Sequence, residues 1–226
     1  MRNLRNRIAA RQSGFTLVEI AIVLVIIGLL LVGVLQGQEM IENSKIKNLA
    51  TSMKGVQAAY YAYQDRYQAV PGDDIAASNR FTGADNGNGN GIISGLYNAV
   101  AAPAAAAESN SFWQHTRMAG FLSGTATAAV ALPTVHTYGG FLGVEQSAST
   151  YGMTGPVVCA GSVPWKVAQA IDAQFDDGNS DTGKIRAGLA GVANLATAAA
   201  VSTAYGPTVP ATAVIEAGMH TVCMKI

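Results

Sequence analysis

Glu19 is a single acidic residue in the most apolar part of the sequence. It is the only ionisable side chain in residues 15–35, which read FTLVEIAIVLVIIGLLLVGVL. A carboxylate inside a membrane helix costs about 2.5–3.5 kcal/mol on insertion scales, so an acid in such a segment marks a functional site by default. The run contains no positive partner for it. A cut between Gly14 and Phe15 would create one, because it would expose a new α-amino group one helical turn before the acid.

The segment that carries this acid is long enough to cross a membrane. As an α-helix it would span about 31 Å, which matches the hydrocarbon core of a bilayer. Residues 1–14 contain four arginines and no acid, and by the positive-inside rule this flank stays in the cytoplasm. The rest of the chain is then expected outside the inner membrane. No small-x-small cleavage site follows the run, so the apolar helix is expected to stay attached.

Residues 14–19, Gly-Phe-Thr-Leu-Val-Glu, resemble the processing site of type IV prepilins and of the related type II secretion pseudopilins. The resemblance includes the short basic leader at residues 1–14, the glycine before the cut, the glutamate and the apolar run. It implies cleavage between Gly14 and Phe15 by a prepilin peptidase, usually with N-methylation of Phe15. Loss of the leader removes four of the 14 basic residues and none of the 14 acidic residues, which leaves a net charge of −4.

The resemblance implies a structural subunit of a type IV pilus-like filament that polymerises through its N-terminal helix. The expected partners are identical or related pilin subunits, an inner-membrane assembly platform and, before assembly, membrane lipid. The expected location is the bacterial inner membrane with the head in the periplasm, and then an extracellular or periplasmic filament. Because a buried charge pair fails when one member is removed, we expect Glu19 to set the register of an incoming subunit by pairing with a neighbour's Phe15 amine.

Two other functions stay open from the sequence. The chain could be a pseudopilin of a type II secretion apparatus, or a membrane-tethered protein whose head binds a ligand or a surface. An enzyme is not expected, because His115, His136 and His220 have no serine or cysteine nearby in a recognisable nucleophile setting. The formal net charge of zero and the lack of a basic cluster in the chain body argue against a sequence-specific nucleic-acid binder.

An amphipathic helix is predicted to continue the apolar segment through residues 36–70. Apolar residues recur there at alternating spacings of three and four, the pattern of one buried helix face. Pro71 ends the helix, because proline lacks an amide donor and restricts the residue before it. One long helix is therefore expected over residues 16–69. Its predicted buried face comprises Ile46, Leu49, Met53, Val56, Tyr60, Tyr63 and Tyr67.

Residues 71–226 are predicted to form a globular pilin-like head. Three segments alternate apolar and polar residues and are enriched in β-branched residues, as strands are. A small antiparallel sheet packed on the long helix, with extra short helices, gives an α+β fold. The predicted strands are 133–145, 155–160 and 212–226, and the predicted short helices are 110–122 and 164–175.

One loop of the head has side-chain oxygens at alternate positions, as a calcium loop has. Asn86, Asn88 and Asn90 supply these oxygens, and Gly91 follows them. All three side chains are amides, however, and Tyr97 stands where a bidentate glutamate would close the loop. A Gly/Asn turn without metal explains the same residues at least as well.

A second loop, after the helix predicted at 164–175, is more strongly charged. Closely spaced oxygen ligands suit Ca²⁺ rather than zinc, and several pseudopilins hold calcium in a loop of the C-terminal half. Structural calcium is therefore a candidate here, with a solvated turn as the alternative, and no other cofactor is expected. The candidate ligands are Asp176, Asp177, Asn179 and Asp181.

Cys159 and Cys223 are the two cysteines of the chain. With the head outside the cytoplasm, they lie where disulfides persist. A disulfide between them would constrain the unfolded chain by about 4 kcal/mol in the entropy model and would pin the C-terminal strand to the sheet. Two free thiols are the alternative, and they would be labelled without reductant.

Overall fold

The chain forms two compact units, one up to Asn43 and one from Ser44 onward. Helix α1, Leu17–Tyr67, supplies residues to both units, and its bounds confirm the long helix predicted over residues 16–69. Residues 1–13, most of the predicted leader, are not described. The computed structural model describes residues 14–99, 107–126, 132–146, 151–189 and 219–226.

In the second unit, α1 buries the predicted stripe. Six of its seven predicted residues are buried, and Tyr67 is half-buried instead. Five of the buried residues, all except Tyr63, share one hydrophobic core with residues of the sheet. Full burial of an apolar side chain of this size stabilises the fold by about 1.5–3 kcal/mol, so the stripe attaches the helix to the sheet. The six buried residues are Ile46, Leu49, Met53, Val56, Tyr60 and Tyr63.

The described strands are β1 Thr134–Val135, β2 Phe141–Glu145, β3 Val157–Pro164, β4 Ile185–Leu189 and β5 Met219–Lys225. They form one antiparallel sheet in the order β1-β2-β3-β5-β4. Strand β5 therefore lies inside the sheet, between β3 and β4. The α+β fold predicted from the sequence is confirmed.

The strand predictions need three corrections. The segment 133–145 is not one strand but two, because a turn separates β1 from β2 and Gly139 adopts φ +85° there, which favours glycine. Strand β3 continues past residue 160 through an irregularity that ends at Val163. Strand β4 was not predicted. Of the predicted strand 212–226, the first seven residues lie outside the described part of the chain.

Three short helices complete the head: α2 Ala77–Arg80, α3 Glu108–Met118 and α4 Trp165–Phe175. The predicted helices correspond to α3 and α4. Pro164 precedes α4 as its N-cap residue. Phe175, the last residue of α4, is 37% exposed. The Lys54 ammonium lies 4.1 Å from the centre of its ring, a cation–π contact.

Candidate functional site

The N-terminal end of α1 is closed by reciprocal hydrogen bonds between Thr16 and Glu19. Oε2 of Glu19 accepts the Thr16 backbone N–H at 2.8 Å and the Thr16 hydroxyl at 2.7 Å. In return, the Glu19 backbone N–H donates to Thr16 Oγ1 at 3.3 Å. This is a capping box, which satisfies amide donors that the start of a helix leaves unpaired. This local role was not predicted from the sequence, although Thr-x-x-Glu is the sequence signature of such a cap.

From Leu17 to Leu35, α1 presents an apolar surface that no described part of the chain covers. All the side chains of this segment are exposed, Leu17 to 88%. The helix is long and apolar enough to cross a membrane. An apolar surface of this extent marks a site of interaction with other apolar matter. The segment is therefore suited to lipid or to the apolar helices of other chains.

In the head, buried acidic side chains organise the loop at residues 71–99. Asp73 is only 4% exposed, and its two carboxylate oxygens accept the backbone N–H groups of Gly89 and Gly91 at 2.5 and 2.6 Å. Glu108, at the start of α3, accepts two further N–H groups of the loop at 3.1 and 2.8 Å. These acids satisfy backbone donors that have no partner from helix or sheet.

The asparagines predicted as calcium ligands bond to the backbone of the loop. Oδ1 of Asn88 and Oδ1 of Asn90 each accept the N–H two residues further on, at 3.0 and 2.8 Å. Such contacts are Asx turns. Oδ1 of Asn86 accepts the Ser78 N–H at 2.8 Å. The three oxygens thus have a structural role as acceptors, and calcium at this loop stays a prediction.

The second predicted calcium loop gathers three carboxylates at the end of α4. One oxygen from each of Asp172, Asp176 and Asp177 lies within 4.8 Å of the others. Asp172 is fully buried and was not predicted as a ligand. In the sequence, its position four residues before Asp176 could have indicated Asp172 as a member of this group, because this spacing places two side chains on one face of a helix.

These carboxylates accept hydrogen bonds from the loop that follows α4 and from the start of β4. Asp172 Oδ1 accepts a backbone N–H at 3.1 Å, and Asp176 Oδ2 accepts the Ile185 N–H at 2.6 Å. Asp177 accepts the Thr182 hydroxyl, which lowers the pKa of the Asp177 carboxyl. The predicted ligand Asn179 uses its Oδ1 to accept the Asp181 N–H at 3.2 Å, and Asp181 is not in the carboxylate group. Calcium here stays a prediction.

A buried polar network joins α1 to the start of the same long loop. The Tyr63 hydroxyl donates to Asp74 Oδ2 at 2.7 Å, and Arg80 forms an ion pair with that oxygen. Burial, and then the bond to Asp74, raises the pKa of the Tyr63 hydroxyl. The pairing lets Asp74 stay buried at 2% exposure, because a buried carboxylate needs both charge and hydrogen-bond partners.

Two buried histidines form hydrogen bonds, as neutral rings, with the backbone of neighbouring segments. His115 Nδ1 accepts the Gly72 N–H at 2.9 Å, so Nε2 must carry the proton that it donates to the Asp85 carbonyl at 2.7 Å. His136 repeats the arrangement, with Nδ1 facing a backbone N–H and Nε2 facing the Gly161 carbonyl. Burial lowers the pKa of both imidazoles. Both histidines are satisfied by the fold.

Cys159 and Cys223 form a disulfide, which favours the predicted bond over the alternative of two free thiols. The two residues are directly paired across β3 and β5, and both are fully buried. They share a small second core with Tyr151, Met153 and Val157. The disulfide therefore links the C-terminal strand to its neighbour covalently, inside the sheet.

Comparisons with known proteins identify a known motif in one part of the chain. The searches of curated proteins and of solved structures found no match. Residues 9–35 match the prokaryotic N-terminal methylation motif. This match covers the predicted processing site at residues 14–19, the capping pair and the exposed apolar part of α1. The protein therefore carries the signature of the type IV pilins and pseudopilins, followed by an α+β head.

Proposed function

We propose that the protein is a structural subunit of a type IV pilus-like filament, cleaved between Gly14 and Phe15 and polymerised through α1. The observation that carries this proposal is the methylation motif at residues 9–35 on a helix whose apolar side chains are all exposed from residue 17 to 35. Before assembly, lipid covers this surface, and in the filament the same surface is covered by neighbouring helices. The role is structural rather than enzymatic.

In this proposal, Glu19 has two roles that use different oxygens. Both hydrogen bonds that the carboxylate accepts end on Oε2, so Oε1 is available for the Phe15 amine of a neighbouring subunit. Cleavage leaves the Thr16 N–H intact, so the cap persists in the mature chain. Removal of one member of a buried ion pair costs about 3–5 kcal/mol. The pairing therefore selects the axial position at which a new subunit is accepted.

Three substitutions separate the cap from the charge pair. Glu19→Gln keeps a side chain that can cap the helix but removes the charge, and it is expected to abolish filaments. Thr16→Val removes the hydroxyl of the cap and keeps the charge, so filaments are expected to persist. Glu39→Gln, on the exposed polar part of α1, is the matched control. Filaments counted by electron microscopy at normal yield for Glu19→Gln would refute the pairing role.

A type II secretion pseudopilin is the alternative that the same motif supports. The two functions differ in where the polymer ends. A pilus subunit is expected in material sheared from the cell surface, whereas a pseudopilin stays in the envelope and its loss stops protein export. Immunogold labelling of sheared filaments supports the pilus, and an export defect without labelled surface filaments would transfer the proposal to the pseudopilus.

A further inference from the structure

Three Asn-Gly pairs follow one another in the head, in the sequence Asp-Asn-Gly-Asn-Gly-Asn-Gly at residues 85–91. Asn-Gly is the dipeptide most open to self-modification, because glycine has no Cβ to obstruct the attack of its own backbone nitrogen. That nitrogen bonds to the side-chain carbonyl carbon of the preceding asparagine. The bond from this carbon to Nδ2 breaks, ammonia leaves and a five-membered imide forms. Water then opens the imide to aspartate or isoaspartate, so no reagent except water is consumed.

The attacking nitrogens at two of these pairs are held by one buried carboxylate. The Gly89 N–H donates to Asp73 Oδ1 at 2.5 Å, and the Gly91 N–H donates to Asp73 Oδ2 at 2.6 Å. The amide must lose its proton to attack. Loss of the proton would leave a negative charge on the glycine nitrogen, beside the Asp73 carboxylate, and would break the hydrogen bond between them. Both effects oppose deprotonation.

The first pair in the series lacks this protection. The Gly87 N–H donates to the backbone carbonyl of Asp74 at 3.0 Å, which is a neutral acceptor. All three asparagines are exposed to water, and each uses Oδ1 to accept a backbone N–H. Within one loop, two Asn-Gly pairs whose glycine N–H donates to a carboxylate can therefore be compared with one pair whose glycine N–H donates to a neutral carbonyl.

The Asx turns at Asn88 and Asn90 add a geometric constraint. Each fixes the side-chain carbonyl on the N–H two residues ahead. Ring closure requires the side chain to turn toward the next residue instead, so this bond must be released. Gly89 and Gly91 also hold φ at +76° and +81°, and in this conformation their N–H groups donate to Asp73. Ring closure therefore requires local opening of the loop.

We propose that Asn88 and Asn90 form a deamidation site that Asp73 keeps unreactive in the folded head. While both amides donate to Asp73, the reaction is suppressed. When the loop opens, the two asparagines convert irreversibly, and each conversion adds one negative charge to the exposed loop. The site belongs to the head alone and does not depend on filament assembly.

The test uses the full-length protein in detergent, incubated in mildly alkaline buffer and mapped by peptide mass spectrometry. In the folded wild type, Asn88 and Asn90 are expected to convert more than about tenfold more slowly than in the same chain unfolded in urea, the effect of one pKa unit on the deprotonated fraction. Asn86 is expected to be less protected than either. Equal protection of all three asparagines, or none, would overturn the proposal without any variant.

Substitution then tests the carboxylate directly. Asp73→Asn keeps the shape of the side chain but removes the charge and one acceptor oxygen, and it is expected to accelerate conversion at Asn88 and Asn90 while leaving Asn86 unchanged. Asp85→Asn is the matched control, because Asp85 is next to the series and accepts neither glycine amide. Circular dichroism checks that the variants are folded. Unchanged rates at Asn88 and Asn90 in folded Asp73→Asn contradict the proposal, and if that variant unfolds, the wild-type comparison decides.

Discussion

Replacing Cys159 and Cys223 together by alanine is expected to lower the free energy of unfolding of the head by about 4 kcal/mol. The disulfide joins β3 to β5 at directly paired residues, so the alanine variant keeps the backbone register of the sheet. Both side chains are fully buried, and for this reason alanine is preferred to serine, which would bury a hydroxyl without a partner.

The magnitude follows from the separation of the two cysteines along the chain. They are 64 residues apart, and closing a loop of that length in the unfolded chain removes about 4 kcal/mol of conformational entropy at 25 °C in the loop-closure model. In the loop-closure model the contribution lies in the unfolded state, whose conformational entropy the bond reduces. A loss of this size is a large fraction of the 5–15 kcal/mol (roughly) that stabilises a typical domain.

Urea unfolding of the full-length protein in detergent measures this difference. Trp113 is buried in the core and Trp165 begins α4, so their fluorescence follows unfolding of the head. Wild type with reductant should approach the midpoint of the alanine variant, and the variant itself should not respond to reductant. A difference below about 1 kcal/mol between oxidised wild type and the variant would refute the loop-closure reasoning.

Three further outcomes are expected from the head. Tyr63→Phe should lower the free energy of unfolding by about 1.5–3 kcal/mol, because Asp74 loses a hydrogen bond in a buried site. An unchanged urea midpoint would contradict a stabilising role for this network. His115 and His136 have lowered pKa values in the fold, so their stabilising contribution is present above the ordinary imidazole pKa of 6.5 and is lost as the pH falls through the folded pKa. The urea midpoint should therefore fall as the pH drops below 6.5, and less steeply in His115→Gln; equal slopes would contradict this assignment. If calcium binds at the end of α4, it should raise the midpoint of wild type but not of Asp172→Asn, and an unchanged wild type would exclude a stabilising calcium there.

The sequence predicted the elements whose patterns are local. The apolar stripe from Ile46 to Tyr63 repeats at helical spacing, and the helix ends at Tyr67, four residues before Pro71. Strand β4 was missed, since it contains Gly188, and glycine is rare inside strands. The structure supplies the reason for this glycine: a Cβ there would approach the Tyr151 ring to 2.2 Å. A contact between residues so far apart leaves no periodic signal.

The roles of the acidic residues in the head also depend on contacts between distant residues, which the sequence pattern does not indicate. Asp73 and Asp74 stand in sequence before a glycine-rich loop, and nothing in their spacing indicates that one binds amides of residues 89 and 91 while the other binds Tyr63. The asparagines of the loop were candidate metal ligands from spacing alone, and a turn without metal explained the same residues at least as well. In the structure their oxygens accept backbone N–H groups. At the N-terminus, by contrast, the methylation motif is contiguous in sequence, and the match over residues 9–35 confirms the resemblance to type IV pilins and pseudopilins.

The cleavage on which the filament proposal rests is tested by the mass and sequence of the N-terminus of the protein purified from its native membranes. The mature chain is expected to begin at Phe15, to carry a methyl group on its α-amine and to lack the four arginines of residues 1–14. A functional protein that still begins at Met1 would contradict this expectation, because no new amine would then exist for Glu19 to pair with, and a membrane-tethered head would replace the filament subunit.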